Sequence, residues 1–123
     1  MILYHVTKSQ TNFEAIMASK VLRPGRNVTD NSNKWVHLSV APFYQGSWAL
    51  DVIGADTNEA WILTLEVDDA TALQPDPSGE GELYNGSWVV YPAALPVRII
   101  SVIYIKNVQQ WESGDGTATH LTI

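Results

Sequence analysis

The segment from Trp61 to Val67 constrains the fold of this chain more than any other part of its 123 residues. It reads Trp-Ile-Leu-Thr-Leu-Glu-Val, so that aliphatic, aromatic and β-branched side chains follow one another almost without interruption. Continuous apolar character over the length of one strand is typical of a strand that is covered on both faces. We therefore expect a central β-strand here and a domain built around a sheet.

The segments on either side of this strand predict the order of the other elements. Before it, the pattern predicts a strand at Ile2–Val6, a helix, a strand at Trp35–Val40 and a second helix at Phe43–Ile53. The first helix has about ten residues, begins with a capping box of Thr11 and Glu14, and ends at Arg23-Pro24-Gly25. After it, the pattern predicts strands at Trp88–Tyr91 and at Val97–Lys106, the latter being the long final strand. Helices near the N-terminus followed by a run of strands indicate an α+β domain with mainly antiparallel strands.

Length and composition favour one domain that covers residues 1–123, with 46% apolar residues to build its core. The absence of cysteine excludes a disulfide scaffold, a cysteine-ligated zinc site and a thiol nucleophile. The apolar runs are all shorter than the roughly 20 residues that cross a membrane, and the first residues do not resemble a secretion signal. We expect a cytoplasmic protein without a membrane partner or a metal site.

The charges are divided unevenly along the chain. The formal net charge is −6, which argues against a general affinity for nucleic acid. Residues 1–34, however, hold five cations and two acids, giving +3, whereas the remaining residues hold two cations and eleven acids, giving −9. An anionic ligand is therefore expected to bind the first third of the chain.

Two of the three histidines lie in similar settings on predicted strands, in Tyr4-His5-Val6-Thr7 and in Val36-His37-Leu38-Ser39. Alternate residues of a strand point to the same face, so each segment presents an imidazole beside a hydroxyl. If the two strands are neighbours, we expect one polar cluster on an otherwise apolar sheet. The alternative is that each histidine is an ordinary sheet residue whose ring is satisfied by a backbone carbonyl.

These segments belong to a set of four motifs that resembles the ADP-ribosyltransferase superfamily, and within it the catalytic lobe of the tRNA 2′-phosphotransferases. Those proteins carry Tyr-His-Gly-Thr, Val-His-Leu-Ser, a strand that ends in Val-Asp, and Asn-Gly-x-Trp before the last strand. The counterparts in this chain occur in the same order, as Tyr4-His5-Val6-Thr7, Val36-His37-Leu38-Ser39, Glu66-Val67-Asp68 and Asn85-Gly86-Ser87-Trp88. The resemblance covers about residues 2 to 105.

The resemblance implies a split, two-sheet fold that holds NAD⁺ in a bent shape between its sheets. His5 would bond the adenosine-side ribose, and Val6 and Thr7 would hold the nicotinamide amide through the backbone. His37 and Ser39 would support the nicotinamide ribose. A ring after the second strand would stack on nicotinamide, and the candidates are Phe43, Tyr44 and Trp48.

Cleavage of the bond between nicotinamide and ribose passes through a cationic, oxocarbenium-like ribose, so the site has to orient the ring, stabilise that charge and hold the pyrophosphate. Arg23 and Arg26 are the natural pyrophosphate partners, because guanidinium groups match phosphate oxygens. A solvated loop is the alternative for both.

The chain departs from the family pattern at three points. Many transferases place a glutamate before the late Trp-Val-Val strand, where this chain has Ser87, so a carboxylate would have to come from Glu82 or Glu80. Val6 replaces the usual glycine, and the chain has no room for a separate lobe that holds RNA.

The sequence therefore predicts NAD⁺-dependent ADP-ribosyl transfer, a glycosyltransferase reaction, to a protein, nucleic acid or small molecule. The catalytic candidates are His37, Ser39 and Glu82. A non-catalytic module that binds NAD or ADP-ribose, or that binds another protein, is the alternative on the same fold, and RNA 2′-phosphotransfer comes after it. A carbohydrate-binding domain is a further alternative, and it would need its tryptophan rings exposed in a row.

Overall fold

The computed structural model describes residues 1–23, 36–40, 59–68, 71, 73–75, 88–91, 94–114 and 118–123. In chain order the elements are β1 (Ile2–Thr7), α1 (Gln10–Ser19), β2 (Val21–Leu22), β3 (Val36–Ser39), β4 (Ala60–Glu66), β5 (Gln74–Pro75), β6 (Trp88–Tyr91), β7 (Leu95–Pro96), β8 (Arg98–Ile105), α2 (Val108–Glu112) and β9 (Ala118–Leu121). Neither of the helices found in these residues is long and apolar enough to cross a membrane.

Across the described ranges, seven strands form one sheet in the order β5-β6-β3-β1-β4-β8-β9, and β2 pairs with β7 in a separate two-stranded ribbon. All the neighbouring strands are antiparallel. This confirms the α+β class with mainly antiparallel strands. The Trp61–Val67 segment occupies the predicted central position, because β4 lies between β1 and β8.

Helix α1 has the predicted length of 10 residues, but both of its predicted ends are wrong. Ser9, and not Thr11, is the N-cap, and its Oγ accepts a hydrogen bond of 3.2 Å from the backbone N–H of Asn12. Lys20 ends the helix with a left-handed φ of 57° and donates its N–H to the Ile16 carbonyl. The chain leaves the helix there, three residues before Arg23, because β2 pairs with β7.

The C-terminal part of the chain holds more structure than its pattern predicts. The long strand β8 matches the predicted Val97–Lys106 strand, but it is not the last one, since α2 and β9 follow it. Of the two helices predicted near the N-terminus, the first is α1, and the second, Phe43–Ile53, lies outside the described residues.

The two helices cover opposite faces of the large sheet, and each closes its own hydrophobic cluster. The larger cluster lies under α1, which adds Ile16, Phe13 and Met17 to buried strand residues that include Leu3, Val36, Leu38, Trp61, Leu63, Leu65 and Val102. The smaller cluster lies under α2, which adds Val108 and Trp111 to Val6, Ala60, Ile62, Ile103 and Ile105. We call these the α1 face and the α2 face of the sheet.

Candidate functional site

Strands β1 and β3, which carry the two histidine segments, are neighbours in the sheet. Their pairing is short: in these two fully described strands only Tyr4 and Ser39 are paired. On its other side β1 pairs with β4 along its whole length, from Ile2–Glu66 to Thr7–Trp61. The sheet is therefore weakly joined between residues 4–7 and 36–39, and we call this junction the β1–β3 seam.

The two histidine–hydroxyl pairs point to opposite faces of the sheet. Paired residues share a face, so Ser39 lies on the face of Tyr4, and His37, two residues away, lies there too. His5 is paired with Leu63 and belongs to the α1 face together with Thr7. The expected single polar cluster is therefore wrong: the strands are neighbours, but their register separates the side chains by the thickness of the sheet.

A side chain-to-backbone hydrogen bond crosses the seam. Nδ1 of the half-buried His5 lies 2.8 Å from the backbone carbonyl oxygen of His37. Because a carbonyl can only accept, Nδ1 carries the proton, and in the neutral ring Nε2 is left as an acceptor. The alternative interpretation was an ordinary sheet histidine whose ring is satisfied by a backbone carbonyl, and the bond of His5 fits that description.

The environment of His5 favours its neutral form. Burial lowers the pKa of His5 below its ordinary value of 6.5, the hydrogen bond to the His37 carbonyl acts in the opposite direction, and the charge of His37 lowers the pKa further. At neutral pH His5 is therefore an uncharged ring with a fixed tautomer.

The hydroxyls beside the histidines are enclosed. Thr7 is 6% exposed, and its Oγ1 accepts a hydrogen bond of 3.3 Å from the N–H of Ser9, which links the end of β1 to the N-cap of α1. Ser39 is 3% exposed on the other face, where His37 is half-buried. Val6 is buried in the cluster under α2.

The remaining predicted site residues are not brought to the seam. Arg23 is exposed just after β2, which belongs to the small ribbon and not to the large sheet. Arg26, Tyr44, Trp48 and Glu82 lie outside the described residues, as do the alternatives Phe43 and Glu80 and the Ser87 position.

A carboxylate that the sequence did not single out lies directly before β4 and is bonded by a tyrosine of β8. The hydroxyl of Tyr104 donates a hydrogen bond of 2.6 Å to Oε2 of Glu59. This bond raises the pKa of Tyr104, and burial and the carboxylate charge add to the shift. Only the β4–β8 register, which pairs Trp61 with Tyr104, brings these two residues together, so the sequence carried no local signal for them.

Two tryptophans, Trp61 and Trp111, belong to the hydrophobic clusters. Trp61 is 5% exposed; the Phe13 ring stacks on it and the Tyr104 ring lies tilted against it, each with its centroid 5.2 Å away. Trp111, which belongs to α2, packs against the smaller cluster on the opposite face of the sheet. These two rings do not form the exposed row that a carbohydrate-binding face needs.

A groove of about 410 Å³ lies at the other end of the sheet, where β8 begins, and is lined by Lys20, Val97, Arg98, Ile99 and Ile123. Arg98 forms an exposed ion pair of 2.5 Å with Glu66 there. Of the predicted site residues that the structure describes, none lines this groove.

In comparisons with known proteins, no family model, no curated protein and no solved structure matches this chain. What the seam can do is therefore inferred from its own residues.

Proposed function

We propose that this chain binds NAD⁺ at the β1–β3 seam and transfers its ADP-ribose to an acceptor, with cleavage of the bond between nicotinamide and ribose. The observation that carries the proposal is the junction itself: two strands with matching histidine–hydroxyl segments lie side by side and are joined by the Tyr4–Ser39 pair and the His5–His37 bond. The acceptor is a protein, a nucleic acid or a small molecule.

A weak junction is the feature of the sheet that supports a split fold. Of the described strands, β5, β6 and β3 lie on one side of the seam, and β1, β4, β8 and β9 lie on the other. Backbone N–H and C=O groups that strands do not use on each other are suited to an amide, which offers one acceptor and two donors. In this proposal the nicotinamide carboxamide bonds the backbone of residues 6–7, where pairing with β3 has ended.

The opposite faces of the two histidine segments set the path of the ligand. A dinucleotide that lies on one face of the sheet would meet only one of the segments, whereas one that passes through the seam meets both. Nε2 of His5, which the bond of Nδ1 to His37 leaves unprotonated, would then accept a hydrogen bond from a ribose hydroxyl. His37 and Ser39 would contact the nicotinamide ribose from the other side.

The charge state of His5 suits its proposed role at the adenosine-side ribose. Burial keeps His5 neutral at physiological pH, so that Nε2 remains able to accept a hydrogen bond from a ribose hydroxyl. The cations of residues 1–34, including Arg23 and Arg26, remain the proposed partners of the pyrophosphate.

The test combines binding with turnover. Calorimetry with NAD⁺ should show saturable binding, and incubation should release nicotinamide. His37→Ala should reduce nicotinamide release by about 100-fold or more, the usual scale for loss of a group that stabilises a transition state. His120→Ala is the matched control, because His120 lies exposed on β9, away from the seam, and should leave both measurements unchanged. If the wild-type chain neither binds NAD⁺ nor releases nicotinamide, the proposal is refuted.

A second candidate, binding of NAD⁺ or ADP-ribose without turnover, is favoured by Ser87 at the position of the family's glutamate. It predicts the same saturable binding, lost in His5→Ala, with no nicotinamide release above the buffer blank. Measurable release that falls in Glu82→Gln would exclude this candidate and identify the carboxylate. Release that falls in Glu59→Gln instead would assign that role to the carboxylate bonded by Tyr104.

A further inference from the structure

The side chain of His5 spans the junction that has the fewest residue pairs in the described sheet. Its Nδ1 donates a hydrogen bond of 2.8 Å to the backbone carbonyl of His37, and a single residue pair, Tyr4–Ser39, joins β1 to β3 beside it. On its other side β1 is joined to β4 by six residue pairs. If the sheet opens near His5, it therefore separates most readily at the β1–β3 seam.

The surroundings of His5 are apolar on the α1 face. Its partner on β4 is Leu63, which is 0% exposed. Helix α1 adds only apolar side chains to the cluster on this face, namely Phe13, Ile16 and Met17. A neutral imidazole is stable in such surroundings, whereas a protonated one would hold a charge away from water.

The titratable groups on the neighbouring elements do not balance a charge on His5. On β3 the group is His37, whose charge makes protonation of His5 less favourable. Glu66 of β4 and Tyr4 of β1 lie on the opposite face of the sheet, and Glu14 of α1 is exposed. Among the described residues, His37 is the one group whose charge shifts the pKa of His5, so the closed seam resists protonation.

We propose that the β1–β3 seam is an acid-opened junction, at which protonation of His5 separates β3 from β1 while β1 stays paired with β4. Opening brings the ring into water, where its charge is solvated. Because the pKa of His5 is lowered in the closed sheet, the open state binds the proton first as the pH falls below 6.5, and acid favours opening. Opening of this kind requires no ligand, so its test is independent of NAD⁺ binding.

Thiol reactivity measures the opening. The chain has no cysteine, so one introduced thiol reports on one site, and Ser39→Cys places it at the seam, where Ser39 is 3% exposed. Its rate of reaction with a pyridyl disulfide, divided by the rate in the urea-unfolded chain at the same pH, gives the opening constant. This constant should rise by about 10- to 30-fold from about pH 7.5 to about pH 5, the upper value being the limit for one histidine with an ordinary pKa.

Matched variants show where the response arises. Ala60→Cys places a thiol at a position of β4 that is 0% exposed, and it should react more slowly than Ser39→Cys at both pH values. In the Ser39→Cys chain, His5→Gln should remove the rise. His120→Gln, at the exposed histidine of β9, should keep it.

An opening constant that is equal at both pH values would overturn the proposal, and so would a rise that persists in His5→Gln. Equal rates for the two thiols would mean that the sheet opens as a whole, which also overturns it. If His5→Gln does not fold, the pH profile of the Ser39→Cys chain decides. A rise that begins only below about pH 5 is the response of carboxylates and not of a histidine, and it too would overturn the proposal.

Discussion

His5 ties the stability of the sheet to pH through one side chain. Because burial lowers its pKa in the folded chain, the unfolded chain binds the proton first as the pH falls. The contribution of neutral His5 is therefore complete above the ordinary value of 6.5, decreases as the pH falls below it, and stops changing below the lowered pKa of the folded state.

The prediction is that His5→Gln flattens the loss of stability between about pH 7.5 and pH 5, the interval around an ordinary histidine pKa. Urea unfolding at both pH values gives the change in the free energy of unfolding, which should be smaller for His5→Gln than for the wild type. His120→Gln is the control, and its change in the free energy of unfolding should equal that of the wild type. NMR titration gives a second readout: a His5 midpoint above the ordinary value of 6.5 would contradict the structure.

The cap of α1 is a second prediction at this scale. Ser9→Ala should lower the free energy of unfolding by about 1 kcal/mol, because the N–H of Asn12 loses its acceptor. Thr11→Ala, at the position that the sequence favoured as the cap, should cost well under about 1 kcal/mol. Chemical denaturation of both variants measures the two losses of stability. Equal losses would contradict the assignment of Ser9 as the N-cap.

Residue roles of this kind could be predicted from sequence only in part. Ser9 and Thr11 are both hydroxyl residues in front of the same apolar pattern, so composition does not choose between them. Lys20 carries no sequence signal for a left-handed φ, which is usual for glycine. Its conformation follows from the pairing of Val21 with Pro96, a contact that no local pattern contains.

Among the elements, those with a long apolar pattern were predictable, and the short ones were not. Strands β1, β3, β4, β6 and β8 follow runs of apolar residues, whereas β2, β5 and β7 each have two residues and exist only because another segment pairs with them. Neither the adjacency of β1 and β3 nor the faces that their histidines occupy could be predicted. Strand order depends on distant segments, and a register shift of one residue inverts every side chain.

The seam gives a prediction about β3 and β4. Strand β4 is paired along its length on both sides, whereas β3 is joined to β1 by a single residue pair. The half of the sheet that contains β3 should therefore open without the rest. Native-state hydrogen exchange should show amides of β3 exchanging faster than those of β4. Equal exchange free energies in the two strands would mean that the sheet opens as one unit and that no seam exists.

For the whole molecule, β4 is one of three strands, with β1 and β8, that contribute buried residues to both clusters. Leu63 and Leu65 point into the cluster under α1, and Ile62 points into the cluster under α2. Total stability of a small domain is about 5–15 kcal/mol, so one deep cavity in β4 removes a large part of it.

Leu63→Ala should lower the free energy of unfolding by about 2–5 kcal/mol, since Leu63 is 0% exposed in the middle of the sheet. Ile2→Ala is the control: it also removes an aliphatic side chain from a strand of this sheet, but from a site that is 43% exposed, so its cost should be under about 1 kcal/mol. Calorimetric melting of both variants measures the contrast, and comparable shifts would mean that the clusters are not the source of stability.

The register of β1 also determines how the chain reaches its native state. Ile2 pairs with Glu66, so β1 has no partner on that side until about 60 further residues have been synthesised. At about 5–20 residues per second, the ribosome leaves this strand waiting for several seconds. Sheets closed by such distant segments fold in milliseconds to seconds, far more slowly than helical bundles. During that interval, β1 is an unpaired apolar segment of the kind that chaperones bind.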